Sequence, residues 1–129
     1  MCCGNGSSSL NDLLTKIREF VRERDWSQYH SPKNLSMALS VEAAELVEIF
    51  QWLTEDQSRN LTPEQKAHAA EEIGDVLIYL VNLADKLGIE PIEAAFAKME
   101  KNATKYPVEK ARGNAAKYDE LGNGSSSEG

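Results

Sequence analysis

The sequence predicts an all-α fold, a four-helix bundle-like domain. Three observations predict it. Apolar residues recur at helical intervals through most of residues 9–121. Serine, threonine and proline stand at helix starts, and Gly88 at a helix end. Strand signals are weak: "VLIYLV" is partly β-branched and aromatic, but it lies inside a helical period.

The first helix starts with Ser9 and Asp12 at capping-box spacing. Leu10, Leu13, Leu14, Ile17, Phe20 and Val21 then recur at helical intervals, and the helix ends near Arg24. "DWSQYHSPKN" reads as a polar and aromatic loop. Pro32 opens a second helix that runs to about Leu53. Thr62, Pro63 and Gln65 supply a cap, a first-position proline and a third-position glutamine for the third helix. It continues to Leu87, where Gly88 stops it. Pro91 opens a fourth helix ending before Pro107, and a weaker helical piece follows over Val108 to Tyr118.

Residues 1–8 and 122–129 are rich in Gly, Ser and Asn and read as disordered tails. One domain over residues 9–121 remains, and 129 residues do not suggest two. Four helices from so few residues give a thin core. Part of the apolar surface is therefore expected to close against another copy of the chain.

The formal net charge is -7. A general nucleic-acid backbone binder needs clustered positive charge, so that class is excluded. A small phosphorylated ligand is not, since a metal ion neutralises carboxylates and phosphates together. Cys2 and Cys3 are adjacent, with no other cysteine, and supply neither a disulfide framework nor a zinc knuckle. No long uncharged apolar run suggests a membrane span. No apolar segment of the secretory kind follows the first nine residues. The expectation is a reduced, cytoplasmic protein.

The stretch "SVEAAELVEIFQW" carries the first functional signal. Leu35, Leu39, Leu46, Ile49 and Leu53 fall in one narrow sector of the second helix. Glu42 falls inside that sector, Glu45 at its margin and Glu48 further out. Glu42 and Glu45 are three apart, so their side chains can converge. Like charges so placed are unfavourable unless something positive sits between them.

The third helix repeats the pattern with Glu72 and Asp75. From Ile73 to Leu83 it is apolar nearly all round, with Gly74, Asp75 and Asn82 as exceptions, so Asp75 interrupts an otherwise buried helix. Gly74 costs about 1 kcal/mol of helix propensity and suggests close approach of a helix or ligand. Face to face, the two helices bring Glu42, Glu45, Glu72 and Asp75 into one cluster. Hard oxygen ligands suit Mg²⁺ or Mn²⁺. A bundle di-iron site needs Glu-x-x-His, but Gln65 stands three before His68 and His30 lies in a loop. Glu48, Glu64, Glu71 and Glu90 read as ordinary solvated helix positions.

Lys98, Asn102 and Lys105 share a helical face in "KMEKNATKYP", near a helix C-terminus that favours cations in any case. Their functional reading is a phosphate clamp, with Tyr106 capping the helix or reaching the pocket. Trp26 and Trp52 suit either packing or stacking on a planar base. His30 and Asn34 flank Pro32, where they can read polar ligand edges.

Glu-x-x-Glu followed by Glu-x-x-Asp, here "EAAE" and "EIGD", resembles the MazG-like, all-α nucleoside triphosphate pyrophosphohydrolases. The likeness extends to "RDWSQYHSPKNLSMALSVEAAELVEIFQW", "EEIGDVLIYLVNLADKLGI" and "KMEKNATKYP", covering about Leu10 to Leu121. It is strongest to the small dCTP pyrophosphatase branch. The resemblance implies Mg²⁺-dependent cleavage of (d)NTPs between the α and β phosphates, as housecleaning of the nucleotide pool. It implies dCTP or 5-modified dCTP as favoured substrates, and a homodimer or homotetramer. By resemblance, Glu42, Glu45, Glu72 and Asp75 hold the metal. Lys98, Asn102, Lys105 and Tyr106 meet the triphosphate, and Trp26, His30, Asn34 and Trp52 form or border the base pocket. Lys33 stands where similar proteins often carry arginine.

The corresponding mechanism is attack of water on the α phosphorus, with Glu45 orienting or deprotonating it. Rival classes are a non-catalytic helical oligomerisation module, a nucleotide-binding regulator without turnover, and a related all-α enzyme acting on dUTP or a phosphoribosyl substrate. Retained metal affinity argues against the first, turnover against the second, and product analysis across bases separates the third.

Overall fold

In a computed structural model, which describes residues 9–113, the chain is all-α, with no strand among the described residues. Among the described residues six α-helices follow in order: α1 (Leu10–Glu23), α2 (Pro32–Phe50), α3 (Glu55–Arg59), α4 (Pro63–Lys86), α5 (Pro91–Lys105) and α6 (Val108–Ala111). A single 3-10 turn, Ser27–Tyr29, lies between α1 and α2. The expected tails at 1–8 and 122–129 lie outside the described residues, as does the expected helical piece beyond Gly113.

Side chains fix the helix starts. Ser9 and Asp12 form a reciprocal capping box, as do Thr54 with Gln57 and Thr62 with Gln65. Ser31 Oγ accepts the Asn34 backbone N–H at 3.1 Å, with Pro32 in the first turn. The second helix stops at Phe50, short of Leu53, because Thr54 caps a new helix. That short helix follows from "TEDQ", a second capping-box sequence.

The ends are set by backbone geometry. After α4, Gly88 takes φ 69°, its N–H bonds Asp85 C=O, and the Ile89 N–H bonds Ala84 C=O at 2.9 Å. This pair of bonds is the Schellman motif, for which glycine has the free φ range. The end of α1 repeats it with Asp25 at φ 54°: the Asp25 N–H bonds Arg22 C=O and the Trp26 N–H bonds Val21 C=O. That reversal turns Trp26 back toward α1.

The chain divides into two compact units, one ending at Ile89 and one beginning at Glu90. In the first, α4 packs against both α1 and α2. Ile17, Val21 and Val81 form the α1–α4 core, with Leu10, Leu13 and Leu14 packed on it. Leu35 of α2 is the most deeply buried large side chain, 1% exposed. Arg18 Nε donates to Asp85 Oδ2 at 3.1 Å and Nη2 to Oδ1, tying α1 to α4 with a two-pronged ion pair.

Two expectations for α4 need correction. The helix is not buried all round: Ile73, Leu77, Ile78 and Leu80 are exposed. Among the described residues α1 and α2 are the main helices packed on it, and two helices shield one side of a third. Among the described residues no helix approaches Gly74 closely, since a Cβ there meets nothing within 4 Å. The second unit holds α5 and α6; Glu90 caps α5, and Ile92, Phe96 and Met99 lie exposed along it.

Candidate metal and nucleotide site

Glu42 and Glu45 project from adjacent turns of α2, and Glu72 from α4. One oxygen from each carboxylate lies within 4.8 Å of the others. Glu72 is 8% exposed, while Glu42 and Glu45 are half-buried, because α4 is the helix packed on two neighbours. His68 Nε2 stands 3.5 Å from Glu72 Oε2, but Glu72 Oε1 is buried without a hydrogen-bond partner.

Burial raises the pKa of Glu42, and the nearby Glu45, Asp75 and Glu72 raise it further. Glu72 is raised by burial first, then by Glu45 and Asp75, with His68 opposing. Such a cluster is a charge without its counterion. An orphaned buried oxygen and three converging carboxylates fit a divalent metal, and an all-oxygen set suits a hard one. Asp75 stands outside that group of three.

Asp75 also lines a pocket of ≈ 400 Å³. One wall of the pocket comes from α1, including Lys16, Ile17 and Phe20. The other comes from α4, with Ile78, Tyr79 and Asn82 beside Asp75. Trp26 and His30 complete it from the loop. The Schellman turn at Asp25 sets Trp26 edge-on to Phe20, ring centroids 5.6 Å apart, and the Arg24 guanidinium covers the Phe20 ring at 3.6 Å. Trp26 and His30 are edge-on at 6.3 Å. Asn82 Nδ2 lies 3.1 Å from His30 Nδ1.

The other sequence candidates are placed as follows. Asn34 does not line the pocket. Its Nδ2 donates to Tyr29 C=O at 2.9 Å, which fixes the turn that carries His30. Trp52 is 86% exposed and outside the lining. Lys98, Asn102 and Lys105 share one face of α5 in the second unit, with Lys98 and Lys105 exposed and Asn102 half-buried. Tyr106 is the C-cap of α5, its N–H bonding Asn102 C=O at 2.8 Å. Lys16, Phe20 and Tyr79 were not singled out as pocket residues from sequence, since nothing in α1 announces which helix it faces. Asn82 had a signal, as a polar break in an apolar run.

The MazG-like family profile matches residues 37–121. The chain is 43% identical to dCTP pyrophosphatase 1 of Mus musculus and 42% identical to that of Homo sapiens. Each match covers 93% of this chain and 72% of the relative. The crystal structure of a pyrophosphatase from Archaeoglobus fulgidus is 47% identical, covers 80% of this chain and 96% of its own, and has a TM-score of 0.73.

Proposed function

The chain belongs to the MazG-like family, and we propose that it hydrolyses (d)NTPs to the nucleoside monophosphate and pyrophosphate, with dCTP or 5-modified dCTP favoured. One observation carries the reading: Asp75 neighbours the carboxylates closely enough to raise Glu42 and also lines the aromatic pocket. A charged phosphate site and a planar-base site thus meet at one residue. The dCTP pyrophosphatases among its relatives supply the substrate class.

Glu42, Glu45, Glu72 and Asp75 hold Mg²⁺, or Mn²⁺ in its place. When bound, the ion offsets the triphosphate's charge and stabilises the charge that develops in transfer. Glu45, less buried than Glu72, accepts the proton of the water attacking the α phosphorus. The bond from that phosphorus to the bridging oxygen breaks, and pyrophosphate leaves. By the family resemblance alone, Lys98 and Lys105 are assigned to the leaving group, and Asn102 and Tyr106 to the triphosphate. Trp26 and His30 hold the base, Asn34 positions their loop, and Trp52 borders the pocket.

One domain over residues 9–121 carries this activity, as a homodimer or homotetramer. The exposed Ile73, Leu77 and Leu80, spaced along one face of α4, support assembly. No helix among the described residues is long and apolar enough to cross a membrane, which accords with a cytoplasmic nucleotide-pool role.

Incubating the protein with canonical and 5-modified (d)NTPs, with and without Mg²⁺, tests the reading. Metal-dependent monophosphate plus pyrophosphate is expected, lost in a folded Glu42→Gln variant. No turnover of any triphosphate would overturn it.

A further inference from the structure

We propose that Asn82 is a positioning residue that holds His30 in one tautomer, so that the pocket offers a base a hydrogen-bond donor. The inference rests on the reading of the pocket as a base site. Asn82 is 5% exposed, in the helix that carries Glu72 and Asp75. A buried polar group at this depth needs a partner, and His30, 52 positions earlier, provides it.

The chemistry follows from what each atom has to give. An amide nitrogen only donates, so Asn82 Nδ2–H donates to His30 Nδ1, which must accept. A neutral imidazole accepting at Nδ1 carries its hydrogen on Nε2. The ring is kept neutral by burial and by the Lys86 cation one turn beyond Asn82. Lys86 is itself drawn over the loop, its Nζ 3.5 Å from Ser27 Oγ. His30 Nε2–H has no hydrogen-bond partner among the described residues and belongs to a side chain of the pocket wall.

A donor on this wall selects for an acceptor on the ligand. Pyrimidines with a ring carbonyl or an unprotonated ring nitrogen present one, and cytosine presents both. Trp26 and Phe20 then supply apolar contact that any base satisfies, while the His30–Asn82 pair reads the base edge.

The test has two arms. Histidine ¹⁵N NMR of the ligand-free protein should give the Nε2–H tautomer for His30. Asn82→Asp, of equal size, replaces the donor with an acceptor and should move hydrogen onto Nδ1. Calorimetry with Mg²⁺ and the non-hydrolysable α,β-methylene analogue of dCTP should show binding weakened about 3- to 10-fold in that variant, one hydrogen bond's worth. An abasic deoxyribose triphosphate should bind both proteins alike. An Nδ1–H tautomer in the wild type, unchanged binding of the dCTP analogue, or equal weakening for the abasic compound overturns the inference. The functional reading fails separately, by absence of hydrolysis, and leaves these measurements intact.

Discussion

His68 and Glu72 stand one turn apart on α4, with the imidazole Nε2 3.5 Å from one carboxylate oxygen and the other oxygen buried and unpartnered. Half of this carboxylate's hydrogen-bonding capacity is thus unmet among the described residues. A bound cation would meet it and would also screen Glu42 and Glu45. Glu72→Gln should therefore leave metal-free melting unchanged or higher, since it deletes a repelled charge. It should abolish most of the melting shift produced by Mg²⁺. For the parent chain, metal at about 100 times its Kd adds about 2.7 kcal/mol. Calorimetric melting with chelator and with Mg²⁺ checks both.

The same crowding sets a pH dependence. Glu42 and Glu72 titrate above the ordinary carboxylate range in the folded chain. Between the ordinary and raised values the folded state binds more protons than the unfolded one, so metal-free stability falls as pH rises and levels off above. Asp85 acts oppositely: the Arg18 hydrogen bond lowers its pKa, and its stabilisation is lost as pH falls through that lowered value. Metal held by Glu42 and Glu72 would displace their protons, so its affinity should climb across their window and then plateau. Titration calorimetry at several pH values should find that climb; a flat profile would remove these two residues from the metal site.

Glu45→Gln separates proton transfer from metal binding. Loss of a general base costs about 10²- to 10⁴-fold in kcat. That loss is expected here with a substantial metal-induced melting shift retained. Loss of the shift to the same degree as in Glu72→Gln would make Glu45 a ligand alone.

Gly74→Ala tests the open surface beside the cluster. A Cβ at this position meets nothing within 4 Å, and alanine gains about 1 kcal/mol in a helix interior. The variant should melt higher. A lower melting temperature together with a smaller hydrodynamic size would mean that a second copy covers this face.

Local signals were legible where one segment contains the whole cause. Thr62-Pro63 with Gln65 marked the start of α4, and Gly88 its end. "TEDQ" contained α3 in the same way, but a helix of five residues carries too little periodicity to stand out. The spacing of Glu42, Glu45, Glu72 and Asp75 pointed to four carboxylates meeting between two helices, and three of them, without Asp75, converge. Burial was less legible, because it depends on how many neighbours a helix has: residues 73–83 of α4 read as apolar nearly all round, yet Ile73 and Leu80 are exposed. The pocket was least legible. Lys16 and Tyr79 meet only because α1 and α4 pack, and the His30–Asn82 pair spans 52 positions.

The central claim is that the carboxylate cluster and the pocket direct water to the α phosphorus. Turnover of dCTP with Mg²⁺ in heavy-oxygen water, read by mass spectrometry, tests it most directly. The expected products are labelled dCMP and unlabelled pyrophosphate. Label in pyrophosphate, or dCDP with labelled orthophosphate, would contradict it.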